Sequence, residues 1–432
     1  MASPDTIFAL SSGRPPAAIA VIRLSGPDAL DAARRLTTRD LPPPRQAGLR
    51  RFVDPTSGEL LDEGLLICFP GDRTETGEPM AELHCHGSWA VVRGIEAALA
   101  ALPGLRLAQA GEFTRRAFLN GRTDLAAIEG LGDLLAAETA LQRRAAMAMM
   151  AGQFSRRIST WTQALTRLAA QVEAQLDFAD EDDVSRAGAI SDALAEDCRT
   201  IARDMESELV RPGAERMREG IRVAIGGPPN AGKSTLFNYL VGREAAIVSP
   251  HAGTTRDVIE ATISLNGIPI ILADTAGLRE DSSDEIERIG ISRASAFLSG
   301  ADIILWLGDP ADRPGVTGYV ICVQAKADLG QRHAEGLAIS AVSGEGMDRL
   351  VGAICAQAML LLPIPGDYAL SQRQREIVGR AALSVGEAGE LDDEILVGEC
   401  LRQALASLDE LTGRSTTDAV LDEVFSGFCI GK

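Results

Sequence analysis

Hydrophobic positions along the chain change their period three times, and each change marks a different kind of structure. Through residues 1–120 the apolar runs are short and cut by Pro and Gly: AAIAVIRLSG (17–26), GLLICFP (64–70) and AELHCHG (81–87). Runs bounded in this way predict strands in a mixed α+β domain. From Thr123 to Phe178 the sequence turns Ala/Leu-rich, with Leu125, Ile128, Leu131, Leu134 and Leu135 recurring every three to four residues. That spacing predicts long amphipathic helices. At Ile221 the strand IRVAIGG opens a series of apolar runs at 258–264, 268–273, 301–307, 319–323 and 337–340, most of them separated by helical segments. Alternation of this kind predicts a largely parallel sheet with helices on both faces. From about Tyr368 to Phe428 the pattern is helical again. The expected fold class is therefore multidomain, α/β and α+β. An N-terminal domain (1–120) precedes a helical domain in two parts (121–215 and 366–432), and an α/β domain (216–365) is inserted between them.

At 432 residues the chain is too long for a single core. No run approaches the roughly 18 to 20 apolar residues of a membrane helix, and MASPDTIFAL lacks a basic stretch followed by an apolar one. A cytoplasmic protein without a membrane partner is expected. The seven cysteines are odd in number and form no Cys-x-x-Cys pair, so reduced thiols are expected. A formal net charge of −19 argues against global attraction to nucleic acid. RNA would need a local site or a basic partner.

The chemistry is most legible in GPPNAGKS (227–234), a complete G-x-x-x-x-G-K-[ST] between a strand and a helical segment. Backbone amides of Asn230, Ala231 and Gly232, with the helix start at Ser234 and Thr235, would cradle phosphates. Lys233 would reach the β and γ phosphates, and Ser234 a magnesium ion. Further along, Gly253-Thr254-Thr255-Arg256-Asp257 has the form of a segment in which Thr255 senses the γ phosphate through magnesium. Asp274, Thr275, Ala276 and Gly277 end an apolar strand, so Asp274 would hold the ion's water shell and the Gly277 amide would face the γ phosphate. Lys326 and Asp328 form a base-reading segment in which the carboxylate accepts from guanine, and Ser340-Ala341 completes the pocket. Four such motifs in order predict a Ras-like GTPase domain with GTP as substrate.

Two departures stand out. The first position of the guanine motif, usually Asn, is Ala325. A lost hydrogen bond there costs about 0.5–1.5 kcal/mol, so guanine preference is expected with weaker affinity. Leu278 occupies the place where small GTPases carry a water-orienting glutamine, and an isobutyl group cannot orient water. Another side chain must do so, and the acidic stretch 279–288 offers several.

From end to end the residues resemble the MnmE (TrmE) family of tRNA-modifying GTPases. The resemblance rests on Asp5-Thr-Ile, Ile22-Arg23-Leu-Ser-Gly26, His86-Gly87, GEFTRRAFLNGR (111–122), VEAQLDF (172–178), GPPNAGKST, AGTTRD, DTAGLRE, ERIGI (287–291) and the terminal FCIGK. It implies an N-terminal domain that dimerises and holds a tetrahydrofolate derivative (5-formyl or 5,10-methylene) at Arg23, Glu82, Arg122 and Lys432. Arg122 stands where relatives often have lysine. The resemblance further implies a potassium ion at Asn230, Ser249, His251 and Thr254, and Glu287 as the residue that orients water. Nucleotide contacts then include Ser249 and Thr254. A FAD-dependent flavoprotein, MnmG, is the implied partner, and tRNA wobble uridine the implied substrate. Cys429, next to the one-carbon site, is the implied chemical residue of the tail, with Phe428 and Ile430 expected to anchor it by burial.

Less specific features are read more plainly. On a strand His84 and His86 share one face and Cys85 the other, which favours packing or a substrate pocket over a metal site. His251 and His333 have no evident partner in the sequence, and Asp180–Asp183 reads as a solvated helix end or linker. Two other functions fit the same motifs: a ribosome-associated GTPase switch, and a folate-dependent aminomethyltransferase regulated by its GTPase domain.

Overall fold

The computed structural model describes residues 5–37, 39–177, 191–243, 259–274, 299–313, 315–330, 336–415 and 417–432. They fall into two compact units, one of residues up to 132 together with 412–432, the other of residues 133–411.

In the first unit β1 (Thr6–Leu10), β2 (Ala17–Ser25), α1 (Ala29–Arg35), β3 (Gly48–Val53), β4 (Leu60–Phe69), β5 (Met80–Gly87), α2 (Trp89–Ala100) and β6 (Leu105–Leu107) precede α3 (Glu112–Leu119) and α4 (Leu125–Ala136). The strands form one sheet in the order β3-β4-β5-β2-β1-β6, antiparallel except for the β1–β6 pair. Strand alternation divides the side chains. Phe8, Ala20, Ile22, Leu24, Leu66, Ala81, Leu83 and Cys85 bury one face in a core with α1 and α2. On the other face Ile7, Ala9 and Ala108 pack with Phe113 of α3.

The second unit begins with α5 (Ala140–Met150), α6 (Gln153–Asp177), α7 (Asp192–Val210) and α8 (Glu215–Glu219). Buried Phe154, Ile158, Trp161, Leu165, Leu168 and Val172 follow the helical stripe of α6. Then come β7 (Ile221–Gly226), α9 (Lys233–Arg243), β8 (Ile259–Leu265), β9 (Ile268–Asp274), β10 (Ile303–Trp306), β11 (Tyr319–Gln324), β12 (Leu337–Ala338) and α10 (Met347–Leu360). Their sheet runs β12-β11-β10-β7-β9-β8, parallel except for the β8–β9 pair. The hydrophobic runs of the sequence thus become strands, and near-continuous burial of β7 and β9 suits strands covered on both faces. Helices α11 (Gln372–Ala388) and α12 (Glu394–Thr412) close the unit, with Tyr368 donating its hydroxyl to Glu208 at 3.1 Å. Among the described residues no helix is long and apolar enough to cross a membrane.

Chain residues 412–432 return to the first unit with α13 (Asp418–Ser426). Leu421, Phe425 and Phe428 there form a small core with Leu125 and Ile128 of α4.

Candidate functional site

The phosphate loop lies at the carboxyl end of β7, flanked in the sheet by β9 and β10, where ligands of open α/β sheets bind. Its backbone turns at Asn230 (φ 57°) and Gly232 (φ 99°), in the left-handed region. At Gly227 (φ 146°) a Cβ would crowd the Leu307 backbone at 3.1 Å. Lys233 is buried, and its ammonium donates to the Gly227 and Pro228 carbonyls at 3.0 and 2.9 Å. Ser234 and Thr235 are exposed at the start of α9, and Asp274 is buried at the end of β9, registered with Ile225 of β7.

The base-reading segment follows the carboxyl end of β11, on the same side of the sheet. Lys326 adopts a left-handed backbone (φ 61°), and its ammonium donates to the Asn230 carbonyl at 2.8 Å. Ala325 lies where its Cβ is 3.6 Å from a Cβ built on Gly232. Asp328 is exposed. Ser340 is buried and accepts from the Ser343 amide at 3.1 Å, while the Ala327 amide donates to Ile339 at 3.0 Å, joining this segment to the one that holds Ser340 and Ala341. Thus Asn230, Ala231, Gly232, Lys233, Ser234, Thr235, Asp274, Lys326, Asp328, Ser340 and Ala341 lie at or just beyond the carboxyl ends of the strands of this sheet. Ser249, His251, Thr254, Thr255, Thr275, Ala276, Gly277, Leu278 and Glu287 lie outside the described residues, as do His333 and Asp180–Asp183.

A second constellation occupies the face of the first unit's sheet on which Phe113 of α3 packs. Arg23 and Glu82 oppose each other in the β2–β5 register, and the guanidinium donates from Nε to Glu82 at 3.1 Å. Its Nη1 lies 3.1 Å from Glu75, on the loop between β4 and β5. The guanidinium carbon sits 5.9 Å from the Phe113 ring centroid, within cation–π range. Arg122 is exposed, with its stem beside Gly77 of that same loop: a Cβ on Gly77 would come 3.2 Å from its Cγ.

The terminal residues reach this region through backbone contacts. Gly111 donates its amide to Cys429 at 3.4 Å, Ile430 bridges Ala110, and Phe113 donates its amide to Lys432 at 3.2 Å. Phe428 is buried against Phe425, with ring centroids 6.4 Å apart. Ile430 is 54% exposed, so the expectation that it anchors the tail by burial is corrected. Gly431 does that work: at φ 97° it approaches the Leu10 carbonyl so closely that a Cβ would lie 2.2 Å away. Cys429 is exposed. Phe113, a residue that the sequence motif contained but did not single out, thus has its ring facing Arg23 and its amide bonded to the Lys432 carbonyl.

His84 and His86 share a face, as strand alternation requires, but they pair with different carboxylates. His84 lies 3.4 Å from Glu82, whereas His86 has its Nδ1 2.8 Å from Asp62 and donates its amide to the same carboxylate at 2.7 Å. Burial works against a charged Asp62, yet the bonds from His86 outweigh it and hold the carboxyl below its ordinary range. Cys85 sits in the core, where burial pushes its thiol up to about 11.

Residues 125–429 match the family model described as the MnmE helical domain, and residues 6–122 match that of the GTP-binding protein TrmE N-terminus. The tRNA modification GTPase MnmE of Novosphingobium aromaticivorans is 49% identical over 436 residues, covering 99% of this chain and 100% of the relative. The chain belongs to the MnmE family. Its N-terminal domain, GTPase domain and helical domain are those of that family, and it is a GTPase. The MnmE of Rhizorhabdus wittichii is 51% identical over 430 residues, covering 99% of this chain and 97% of the relative. Among solved structures, an Aquifex aeolicus Era variant bound to GDP and aluminium fluoride is 29% identical, covers 38% of this chain and 67% of its own, and has a TM-score of 0.26.

Proposed function

We propose that this MnmE-family GTPase modifies C5 of the wobble uridine in certain tRNAs, adding a (carboxymethyl)aminomethyl group from a tetrahydrofolate one-carbon unit. It acts as a homodimer in the cytoplasm with the flavoprotein MnmG. The domain boundaries are those read from the sequence: 1–120 for folate and dimerisation, 216–365 for GTP, and 121–215 with 366–432 for the helical domain. The single observation that favours the folate role is that Phe113 has its ring facing Arg23 and its amide bonded to the Lys432 carbonyl. Its donor set suits the ligand: Arg23, Arg122 and Lys432 offer cations to its carboxylates, and Glu82 holds the Arg23 guanidinium in place.

In the GTP site, Asp328 selects guanine, and Lys233 with the loop amides holds the phosphates. Ser234 and Thr255 would hold magnesium, with Asp274 on its water shell. Exposed Ser234 and buried Asp274 supply the hard oxygen donors that ion takes. Magnesium would neutralise charge on the phosphates. Asn230, Ser249, His251 and Thr254 would hold potassium, and Asn230 offers an amide oxygen for it. Glu287 orients the attacking water, and Cys429 serves the one-carbon chemistry. Anticodon nucleosides compared between cells with and without this chain test the whole proposal. Unchanged wobble uridines would sink it and favour a GTPase switch.

A further inference from the structure

Arg23 already has two carboxylate partners before any ligand arrives. Glu82 takes its Nε and Nη2, each at 3.1 Å, and Glu75 takes Nη1 at 3.1 Å. The two carboxylates are differently placed. Glu82 lies on the sheet with a side chain 17% exposed, like that of Arg23 at 19%, whereas Glu75 is 64% exposed. One guanidinium therefore faces a fixed, half-buried partner and a second one in solvent.

The loop that carries Glu75 is pinned on both sides. The Thr74 hydroxyl donates to the Glu78 carbonyl at 2.6 Å, and Thr76 shares a 2.7 Å hydrogen bond with Ser25. The Asn120 amide donates to the Thr76 carbonyl at 2.7 Å. Glu78, itself buried, accepts from Ser25 at 2.8 Å and pairs with Arg116 at 3.1 Å. Thr74 and Thr76 are buried, so the backbone presents Glu75 from a fixed platform and only its side chain is free to swing away.

We propose that Glu75 is a resident counter-ion on Arg23, which the carboxylate of an anionic folate displaces on binding, so that Glu75 sets folate affinity. This rests on Arg23 being a folate contact. Exposed ion pairs are weak, while a carboxylate aligned on the arginine fork and sheltered by ligand is stronger. Replacing Glu75 therefore costs little, and leaving Glu82 in place keeps the half-buried pair intact.

The test is calorimetric titration of the full-length protein with 5-formyltetrahydrofolate and, separately, with tetrahydropterin, which lacks the carboxylate tail. Glu75→Gln should bind the folate about two- to five-fold tighter than wild type, the range of an exposed ion pair, and tetrahydropterin no tighter. Unchanged or weaker folate binding by Glu75→Gln, or equal tightening of both ligands, overturns displacement. Arg23→Ala separates this from the underlying assignment. If Arg23→Ala binds folate as wild type does, or wild type binds none, the folate site itself is wrong and the proposal falls with it. If Arg23→Ala binds weakly while Glu75→Gln shows no gain, only the displacement is refuted.

Discussion

The backbone amide of Phe113 donates to the carbonyl of the terminal Lys432 at 3.2 Å. That bond ties the last residue of the chain to the first turn of α3, more than 300 positions earlier, beside the ring that faces Arg23. Side chains of the tail are therefore delivered to the sheet by main-chain contacts, and substitutions that spare those contacts should separate chemistry from docking.

Gly431→Ala should undock the tail. The added Cβ meets the Leu10 carbonyl at 2.2 Å, and the φ of 97° is itself strained for alanine, typically by about 1–3 kcal/mol. Wobble-uridine modification should be lost and GTP turnover retained. Normal modification by Gly431→Ala would show that the terminal residues need not dock.

Cys429→Ser changes an exposed side chain and leaves Phe428 and Gly431 as they are. Modification should fall at least tenfold, with GTP turnover near wild type. Loss of both activities would assign the thiol a folding role, and normal nucleosides would make it chemically idle.

Ala325→Asn should tighten GTP. The residue lies against Gly232 of the phosphate loop, and an amide there that reaches the guanine regains a hydrogen bond worth about 0.5–1.5 kcal/mol, or roughly two- to ten-fold in affinity. ATP binding should not gain. Equal gains for both nucleotides would contradict guanine recognition at this segment.

Glu287→Ala should leave nucleotide binding nearly intact and lower potassium-stimulated turnover at least tenfold, roughly 1.4 kcal/mol of barrier. Leu278 supplies nothing in its place. A fully active Glu287→Ala, or full activity in sodium alone, would remove this mechanism.

The phosphate loop was readable because its chemistry is local: eight consecutive residues between a strand and a helix contain the glycines, the lysine and the hydroxyl that the ligand needs. The β-strand runs were equally legible, since burial on one or two faces writes itself into the spacing of apolar residues. The same alternation correctly set Cys85 apart from His84 and His86. What spacing cannot encode is partnership across the sheet. Glu75 against Arg23, Asp62 against His86 and Lys326 against Asn230 depend on strand register and loop path, which are fixed only when distant segments pack. The tail shows the limit most clearly. Hydrophobicity pointed to Ile430 as an anchor, yet the tertiary structure leaves Ile430 half-exposed and buries Gly431, because close approach of two backbones requires the residue with no side chain at all.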